Sequence, residues 1–350
     1  MSIFYQLRVQ EIKRETVDSV SVVFEVPDQL KDEFSFLPGQ YITLQTELSG
    51  STLRRAYSIC SSPKSGELRV AIKEVEKGRF SQYANHQLKV GDVLDVAGPE
   101  GRFVSDPATG TDNHYLAVAA GSGITPVISM IKAVMEQEHG SQFTLLYGSK
   151  SKEKTIFRAE LEDLIKSNGD RLKVHYVYSQ IVSDKALFGR IDKLLISNLL
   201  KNEYAGINFK NYFICGPEEM IEEVKGEFLK RNVSEDKIKF ELFSSSSYKK
   251  EVKKSLDGNT RITVILDDEE TSFDMRQDEL ILDAAIAKGL DAPYSCQGGV
   301  CSSCLAKVVE GEAVMERNSI LDEDELAEGL ILTCQAHPTT QNLKIDYDDV

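Results

Sequence analysis

Between Tyr5 and about Val104, apolar and polar positions alternate in short runs, "SVSVVFEV", "QYITLQT", "ELRVAIKEV" and "DVLDVAG", punctuated by turns rich in Pro, Gly and Ser. A period of two puts alternate side chains on one face, so these runs predict antiparallel strands closing into a small β-barrel. At "HYLAVAAGSGITPVISMIKAVMEQEH" the pattern becomes an apolar strand, a Gly-rich turn and a helical stripe. It recurs through "QFTLLYGS", the helical "TIFRAELEDLIKS", "LKVHYVYSQ", "NYFICGPEEMIEEVKGEFLKR" and "IKFELF". Apolar strands alternating with amphipathic helices predict a parallel, doubly wound α/β sheet. "SSSSYKKEVKKSLDGN" has no apolar period to bury and reads as an exposed, flexible linker. Beyond it, "RITVILDDEETSFDM" predicts a hairpin and "DELILDAAIAKGL" an amphipathic helix leading into "CQGGVCSSC". The chain is thus expected to divide into a barrel over 1–106, an α/β domain over 110–244, a linker over 245–260 and an α+β domain over 261–350.

A length of 350 residues fits two or three cores. The start, "MSIFYQLRVQEIKRE", lacks the apolar run of a signal peptide, and no stretch reaches the length of a membrane span, so a soluble, cytoplasmic protein is expected. The charge is informative because of its placement. From Arg261 to Val350 there are twenty acidic and six basic residues, a net of -14 out of -15 for the whole chain. That excludes a basic nucleic-acid footprint and suits docking on a basic patch of another protein, although an acidic surface also serves solubility.

Cys296, Cys301 and Cys304 follow the spacing C-x4-C-x2-C, and Cys334 lies thirty residues on in "ILTCQAHP". This is the plant-type arrangement for four thiolates around a 2Fe-2S cluster. Gly298 and Gly299 are expected to give the loop conformations closed to residues with a Cβ, so that amides point at the sulfurs. Disulfides do not suit a long chain without a secretion signal, and structural zinc usually shows two C-x2-C knuckles where this chain has one.

Other segments carry weaker signals. In "RRAYSICSSP", Arg55 and Tyr57 share a strand face, so a guanidinium suited to pyrophosphate and a ring suited to stacking project together, with the Ser58 hydroxyl next in line. Such a triplet is also commonplace on a half-buried strand. "EKGRFSQYA" turns at Gly78 into Phe80, Ser81 and a helix start whose amides could cradle phosphate. "AAGSGITPVISM" has the strand, turn and helix of a dinucleotide site with Pro126 in the helix's first turn, but departs from G-x-G-x-x-G at that position, and a tight turn without a ligand would look similar. The next strand ends at Ser149, Lys150, Ser151 and Lys152, with no acidic residue to grip a ribose hydroxyl. Cations and hydroxyls there favour a 2'-phosphate, hence NADPH, unless they are simply solvated. In "FICGPEEMI", Cys215 closes a strand, Gly216 permits close approach and Pro217 opens a helix; a cysteine there is either at a ligand or a small buried hydrophobe.

Taken in order, "RAYS", "GSGITP", "CGP" and "CQGGVCSSC" resemble the ferredoxin-NADP reductase superfamily with a plant-type ferredoxin of β-grasp fold at the C-terminal end, over essentially the whole chain. The resemblance is nearest to reductase subunits of the phenylacetyl-CoA epoxidase kind and flavodoxin reductase-like proteins. It implies that Arg55 binds the FAD pyrophosphate, Tyr57 stacks on the isoalloxazine, Ala56 lies between them and Ser58 contacts N5. Ile72 and Lys73 would line the FAD, Phe80 and Ser81 would hold its phosphates, and Phe243 would cover the flavin. Gly121, Gly123, Thr125 and Pro126 would receive NADPH, with Ser149, Lys150 and Lys152 at its 2'-phosphate and Cys215, Gly216 and Pro217 near the nicotinamide. Ser58 and Cys215 would be catalytic, and Cys296, Cys301, Cys304 and Cys334 would ligate the cluster. NADPH gives electrons in pairs whereas a 2Fe-2S centre takes one, so a flavin between them converts the one into the other. The implied function is an NADPH-dependent reductase passing electrons through FAD and 2Fe-2S to a partner oxygenase of the di-iron, phenylacetyl-CoA epoxidase type. The alternatives are a flavodoxin, desaturase or other acceptor, or a noncatalytic redox sensor, with no nucleic acid or membrane involved.

Overall fold

The computed structural model describes residues 3–243 and 257–350, so most of the predicted linker, 245–256, lies outside the described residues. The described residues form two compact units, Phe4–Phe243 and 257–350.

The first unit opens with an antiparallel sheet of β1 (Phe4–Thr16), β2 (Ser19–Glu25), β3 (Tyr41–Leu48), β4 (Ser51–Ser58), β5 (Leu68–Lys73) and, after helix α1 (Arg79–His86), β6 (Val93–Ala97). Their order is β4-β3-β6-β1-β2-β5. β1 is longer than any predicted run, and register shifts at Val9/Glu11 and Arg14/Thr16 bend it so that its start pairs with β6 and its remainder with β2. The inward set, including Leu7, Val22, Ile42, Leu44, Val70 and Val96, forms the barrel core. The two end strands meet at one bridge, Ile59 to Val70, reinforced by Cys60 N–H donating to the Arg69 carbonyl at 2.8 Å.

The same unit continues through β7 (His114–Ala120), α2 (Ile124–Gln137), β8 (Gln142–Ser149), α3 (Arg158–Asn168), β9 (Leu172–Tyr178), β10 (Leu187–Phe188), α4 (Lys193–Asn202), β11 (Asn211–Cys215), α5 (Glu218–Lys230) and β12 (Ile238–Glu241). All strands are parallel in the order β10-β9-β8-β7-β11-β12. The order reverses between β7 and β11, and ligands of open α/β sheets bind at the carboxyl ends of strands at such a switch. The "GSG" and "CGP" turns both lie there. Helix α2 is buried from Ile124 through Met135, polar Ser129 and Lys132 included. The connection from barrel to sheet is held by fully buried Glu138, which accepts from Tyr115 Oη at 3.0 Å and from the Ala108 amide at 3.0 Å.

The second unit contains β13 (Asn259–Leu266), β14 (Glu269–Arg276), α6 (Ile281–Ala287), β15 (Leu305–Glu310), β16 (Ala313–Met315), α7 (Glu323–Ala327), β17 (Leu330–Leu332), β18 (Ala336–Pro338) and β19 (Asn342–Asp346). A mixed sheet, β14-β13-β19-β15-β17, with β13 and β19 parallel, packs its core with α6 in a β-grasp arrangement. The predicted hairpin is β13–β14. Its turn holds Asp267 and Asp268 at positive φ, with the Asp348 carboxylate accepting from both amides. Among the described residues no helix is long and apolar enough to cross a membrane.

Candidate flavin, nicotinamide and iron-sulfur sites

β4 is an end strand, hydrogen-bonded to β3 alone as far as Ser58, and closure onto β5 occurs only at Ile59. The ends of β4 and β5 therefore leave an opening in the barrel, bordered by half-buried Arg55, Ala56 and Tyr57 on one side and Lys73 on the other, whereas Ile72, expected there, is fully buried in the barrel core. Unpaired strand edges offer backbone donors and acceptors to a flat polar ring. Tyr57 packs against Phe80 with ring centroids 5.6 Å apart, and burial raises its phenol above the ordinary range despite nearby Arg55. The Arg55 guanidinium donates to the Arg54 carbonyl at 2.6 Å. Phe80 and Ser81 lie in the first turn of α1 as expected. The Ser81 hydroxyl is turned onto the preceding loop, accepting from Val75 N–H and donating to the Gly78 carbonyl, each at 3.1 Å.

At the switch point, the turn Gly121–Gly123 leads into α2, with Thr125 Oγ1 donating to the Ser122 carbonyl at 3.0 Å and Pro126 third in the helix. Gly121 has φ +58°, and a Cβ on it would lie 3.7 Å from Lys73 Nζ. The barrel lysine thus reaches the glycine turn. Burial holds Lys73 below its ordinary pKa, Asp18 opposes that, and Lys150 and Lys154 add repulsion. Lys150 and Lys154, with Lys73, make up a group of cations; Lys152, named from the sequence, is exposed. Ser149 Oγ donates to the carbonyls of Ser151 and Lys154 and so shapes this loop. A left-handed glycine turn at a helix start, with the Lys73 ammonium beside Gly121, fits a pyrophosphate or phosphate.

Cys215 ends β11 fully buried, and burial followed by Glu241 holds its thiol far above the ordinary range, so it stays protonated. Gly216 follows, and Pro217 caps α5. Glu241, at the end of β12, brings Oε2 to 3.4 Å from Ser58 Oγ. The two residues expected to be catalytic thus border the same carboxylate. Phe243, two residues on, is partly exposed.

In the second unit the predicted cysteines come together, and none of the six cysteines is in a disulfide. Cys301 Sγ lies 3.0 Å from Cys296 Sγ, and the Cys334 thiol neighbours those of Cys296 and Cys304. Loop amides aim at the sulfurs: Gly298 N–H donates to Cys296 Sγ at 3.3 Å, Ser303 to Cys301 and Gly299 to Cys334. The glycine expectation needs one correction. The left-handed positions are Gln297 and Gly299, whereas Gly298 is not left-handed and contributes its amide. The Cys296 contact lowers the Cys334 pKa, but Cys304 and burial outweigh it and push the thiol up to about 12. The thiols form a row of neighbours, 301-296-334-304, and among the described residues no three ligating side chains converge as a single-ion site. Buried Thr333 ties the two ligand segments together, with its amide and hydroxyl both donating to the Cys304 carbonyl and Tyr347 donating to its Oγ1.

Family models match all three modules: an oxidoreductase FAD-binding domain over residues 6–104, an oxidoreductase NAD-binding domain over 117–226 and a 2Fe-2S iron-sulfur cluster binding domain over 264–339. The chain is 39% identical to a subunit of the 1,2-phenylacetyl-CoA epoxidase of Escherichia coli K12 over 99% of both chains. The chain belongs to the ferredoxin-NADP reductase superfamily, with a 2Fe-2S ferredoxin domain at its C-terminal end. It is also 32% identical to the ferredoxin reductase component of 3-ketosteroid-9-alpha-monooxygenase from Rhodococcus rhodochrous, covering 97% of this chain and 96% of the relative. Phthalate dioxygenase reductase shares the fold, with a TM-score of 0.62 at 22% identity over 98% of both chains.

The protein is an NAD(P)H-dependent flavin and iron-sulfur oxidoreductase. Sequence reading did not anticipate several residues that stand beside the expected site positions. Glu241 gave no signal because its partner Ser58 is 183 residues away. Lys154 lies just past the lysines read as phosphate contacts, and Asp18, 3.1 Å from Lys154 Nζ, belongs to the β1–β2 turn. Burial works against Asp18, but Thr16 and Lys154 hold its carboxyl below the ordinary range.

Proposed function

We propose that this reductase takes electrons from NADPH and delivers them, through FAD and its own 2Fe-2S centre, to a separate oxygenase of the di-iron, phenylacetyl-CoA epoxidase kind. The carrying observation is that Lys73 stands next to Gly121 and Ser58 next to Glu241 in the first unit, around the switch point of its parallel sheet, with four neighbouring cysteines in the second. A bound flavin supplies the exchange between paired and single electrons that a nicotinamide and a 2Fe-2S centre require.

The chain's own residues divide the work. Arg55 meets the flavin's pyrophosphate, Tyr57 backs the ring against Phe80, and Ala56 and Lys73 border the opening. Phe80 and Ser81 would set the α1 turn for the flavin phosphates, and Phe243 would cover the flavin. Gly121, Gly123, Thr125 and Pro126 shape the nucleotide turn, while Lys150 and Lys154, with Ser149 and Lys152, meet the 2'-phosphate that distinguishes NADPH. Cys215, kept neutral, would pack beside the nicotinamide with Gly216 and Pro217, and Ser58, with Glu241 behind it, would hydrogen-bond the flavin. Cys296, Cys301, Cys304 and Cys334 hold the iron. The acidic surface of the second unit suits a basic acceptor. The acceptor proposed rests on the 39% identical relative, and the steroid monooxygenase component supports the broader class of oxygenase reductases.

The test is anaerobic addition of NADPH to the FAD- and iron-loaded protein, followed by visible absorption and low-temperature EPR. Flavin bleaching followed by a reduced 2Fe-2S signal is expected, and Cys301→Ser should keep the bleaching and lose the signal. Absence of bleaching with either nicotinamide would instead favour a redox sensor.

A further inference from the structure

Helix α2 joins the two halves of the first unit in a way the reaction itself does not explain. Its amino end follows the glycine turn, and three residues along one of its faces bond to consecutive residues just past Ser58. Ser129 Oγ donates to the Ser61 carbonyl at 2.7 Å, Lys132 Nζ to the Cys60 carbonyl at 2.7 Å, and Glu136 accepts from the Ser62 hydroxyl. Lys132 also pairs with Glu160 Oε1 at 2.6 Å, and Glu160 Oε2 pairs with Arg69 at 2.5 Å. Arg69 belongs to β5, and its carbonyl receives the Cys60 amide, so the circuit closes on the barrel. Its guanidinium stands 5.1 Å over the ring of Phe157, a fully buried residue held at φ +57°.

This construction is costly. Burying three charges at an interface gains little over apolar packing, and a bulky left-handed residue is strained. Directional bonds do one thing apolar packing does not, which is to fix a register. Here the register is that of the glycine turn relative to the strand carrying Ser58.

We propose that Glu160, bridging Arg69 of the barrel and Lys132 of α2, is a positioning residue that sets the nicotinamide turn against the flavin opening. The inference rests on the reading that NADPH reduces the flavin.

The test uses full-length, FAD-loaded protein. In anaerobic stopped flow, Glu160→Gln lowers the limiting rate of flavin reduction by NADPH at least tenfold, while the apparent NADPH dissociation constant changes less than threefold, because small misplacement of reacting groups costs rate more than affinity. A triple variant, Arg69→Met, Lys132→Met and Glu160→Leu, separates position from stability: it melts near the wild type, since apolar replacement of a buried ion cluster is commonly neutral, yet keeps the slow rate. Native flavin reduction in either variant would overturn the inference. Hydrogen exchange gives a readout free of turnover: Glu160→Gln raises exchange in the Cys60–Lys64 segment and in α2, and unchanged exchange would overturn the inference even if the wild type failed to reduce flavin, a failure that would count against the functional reading.

Discussion

Gly123 lies so close to the backbone of Cys215 that a Cβ built on it would stand 2.1 Å from the Cys215 carbonyl oxygen and 2.5 Å from its carbon. The two turns at the switch point, one from β7 and one from β11, are therefore packed backbone to backbone. Gly123 has ordinary helical φ, so its requirement is space alone. Gly123→Ala should force the turns apart and destabilise the first unit by about 3 kcal/mol, the upper end of overpacking costs, because the obstacle is main chain. Gly216→Ala meets Met220 Cε at 2.6 Å, a flexible tip, and should cost less. Denaturant midpoints of the FAD-loaded proteins check the order; equal midpoints would show that the turns can part freely.

The lysines beside Lys73 should set nucleotide choice. Lys154 is tied to Asp18, whereas Lys150 is exposed and carries its charge at the end of β8. Lys150→Glu exchanges an attraction to a 2'-phosphate for a repulsion, about 2 kcal/mol or roughly thirtyfold in NADPH affinity. NADH, which lacks that phosphate, should change less than about threefold. Titration of the oxidised protein with NADP+ and NAD+ reads both constants, and parallel losses would place the 2'-phosphate elsewhere.

The modules and the grouping of the cysteines were legible in the sequence because both are written in local spacing: a period of two or 3.6, and thiols five and three residues apart. What escaped depends on contacts across the fold. The helix Lys193–Asn202 was not foreseen, and none of the elements after Cys304 were. Their strands are short, and β19 finds its partner β13 about eighty residues away. The predicted helix over "DELILDAAIAKGL" shrank to seven residues, beginning after Leu280 and giving way before Gly289 at φ +84°. In the candidate site, Arg55, Tyr57 and Ser58 could be picked out, but Glu241 and Lys154 could not, because a lone acid at a strand end and one lysine among three look the same as solvated surface. The backbone role expected of Gly298 belongs to Gln297, since a positive φ in a cluster loop is set by where the sulfurs must point.

Cys60 links stability to alkaline pH. Its buried thiol, pushed up to about 11 chiefly by burial, lies against the Arg69 carbonyl at 3.2 Å. Below pH 9 the thiol is protonated whether the chain is folded or not, and its contribution is complete. Between pH 9 and 11 only the unfolded thiol ionises, so the unfolded state binds fewer protons and stability falls as pH rises. A gap of two pH units corresponds to something on the order of 2–3 kcal/mol. Cys60→Ala removes this dependence. Urea unfolding at pH 8 and pH 10.5 should show the wild type losing more stability than the variant, and identical losses would assign the alkaline weakness to another group.

His337 offers the sharpest test of the second unit. The side chain is fully buried and its two ring nitrogens face three acceptors: Nδ1 meets the carbonyls of Gln277 at 3.1 Å and Glu279 at 2.9 Å, and Nε2 meets Glu316 Oε1 at 3.0 Å. Those partners come from the segment before α6 and the end of β16, so one ring ties both to β18, the strand that follows Cys334. Phenylalanine would fill much of the volume but donate nothing, leaving Glu316 and two carbonyls without this donor. Leaving a buried acceptor without its donor commonly costs about 1–3 kcal/mol, more where the acceptor is charged, so His337→Phe should weaken the second unit by about 3 kcal/mol. Glu316→Gln leaves an oxygen that still accepts from the ring and should cost about 1 kcal/mol. Urea titration of the iron-loaded protein, followed by loss of the cluster's visible absorption, reads the second unit, while flavin absorption reads the first. A fall in the cluster transition for His337→Phe, with the flavin transition unmoved, is the expected result; no fall would mean that the surrounding backbone finds other donors and that His337 packs without tying the segments together.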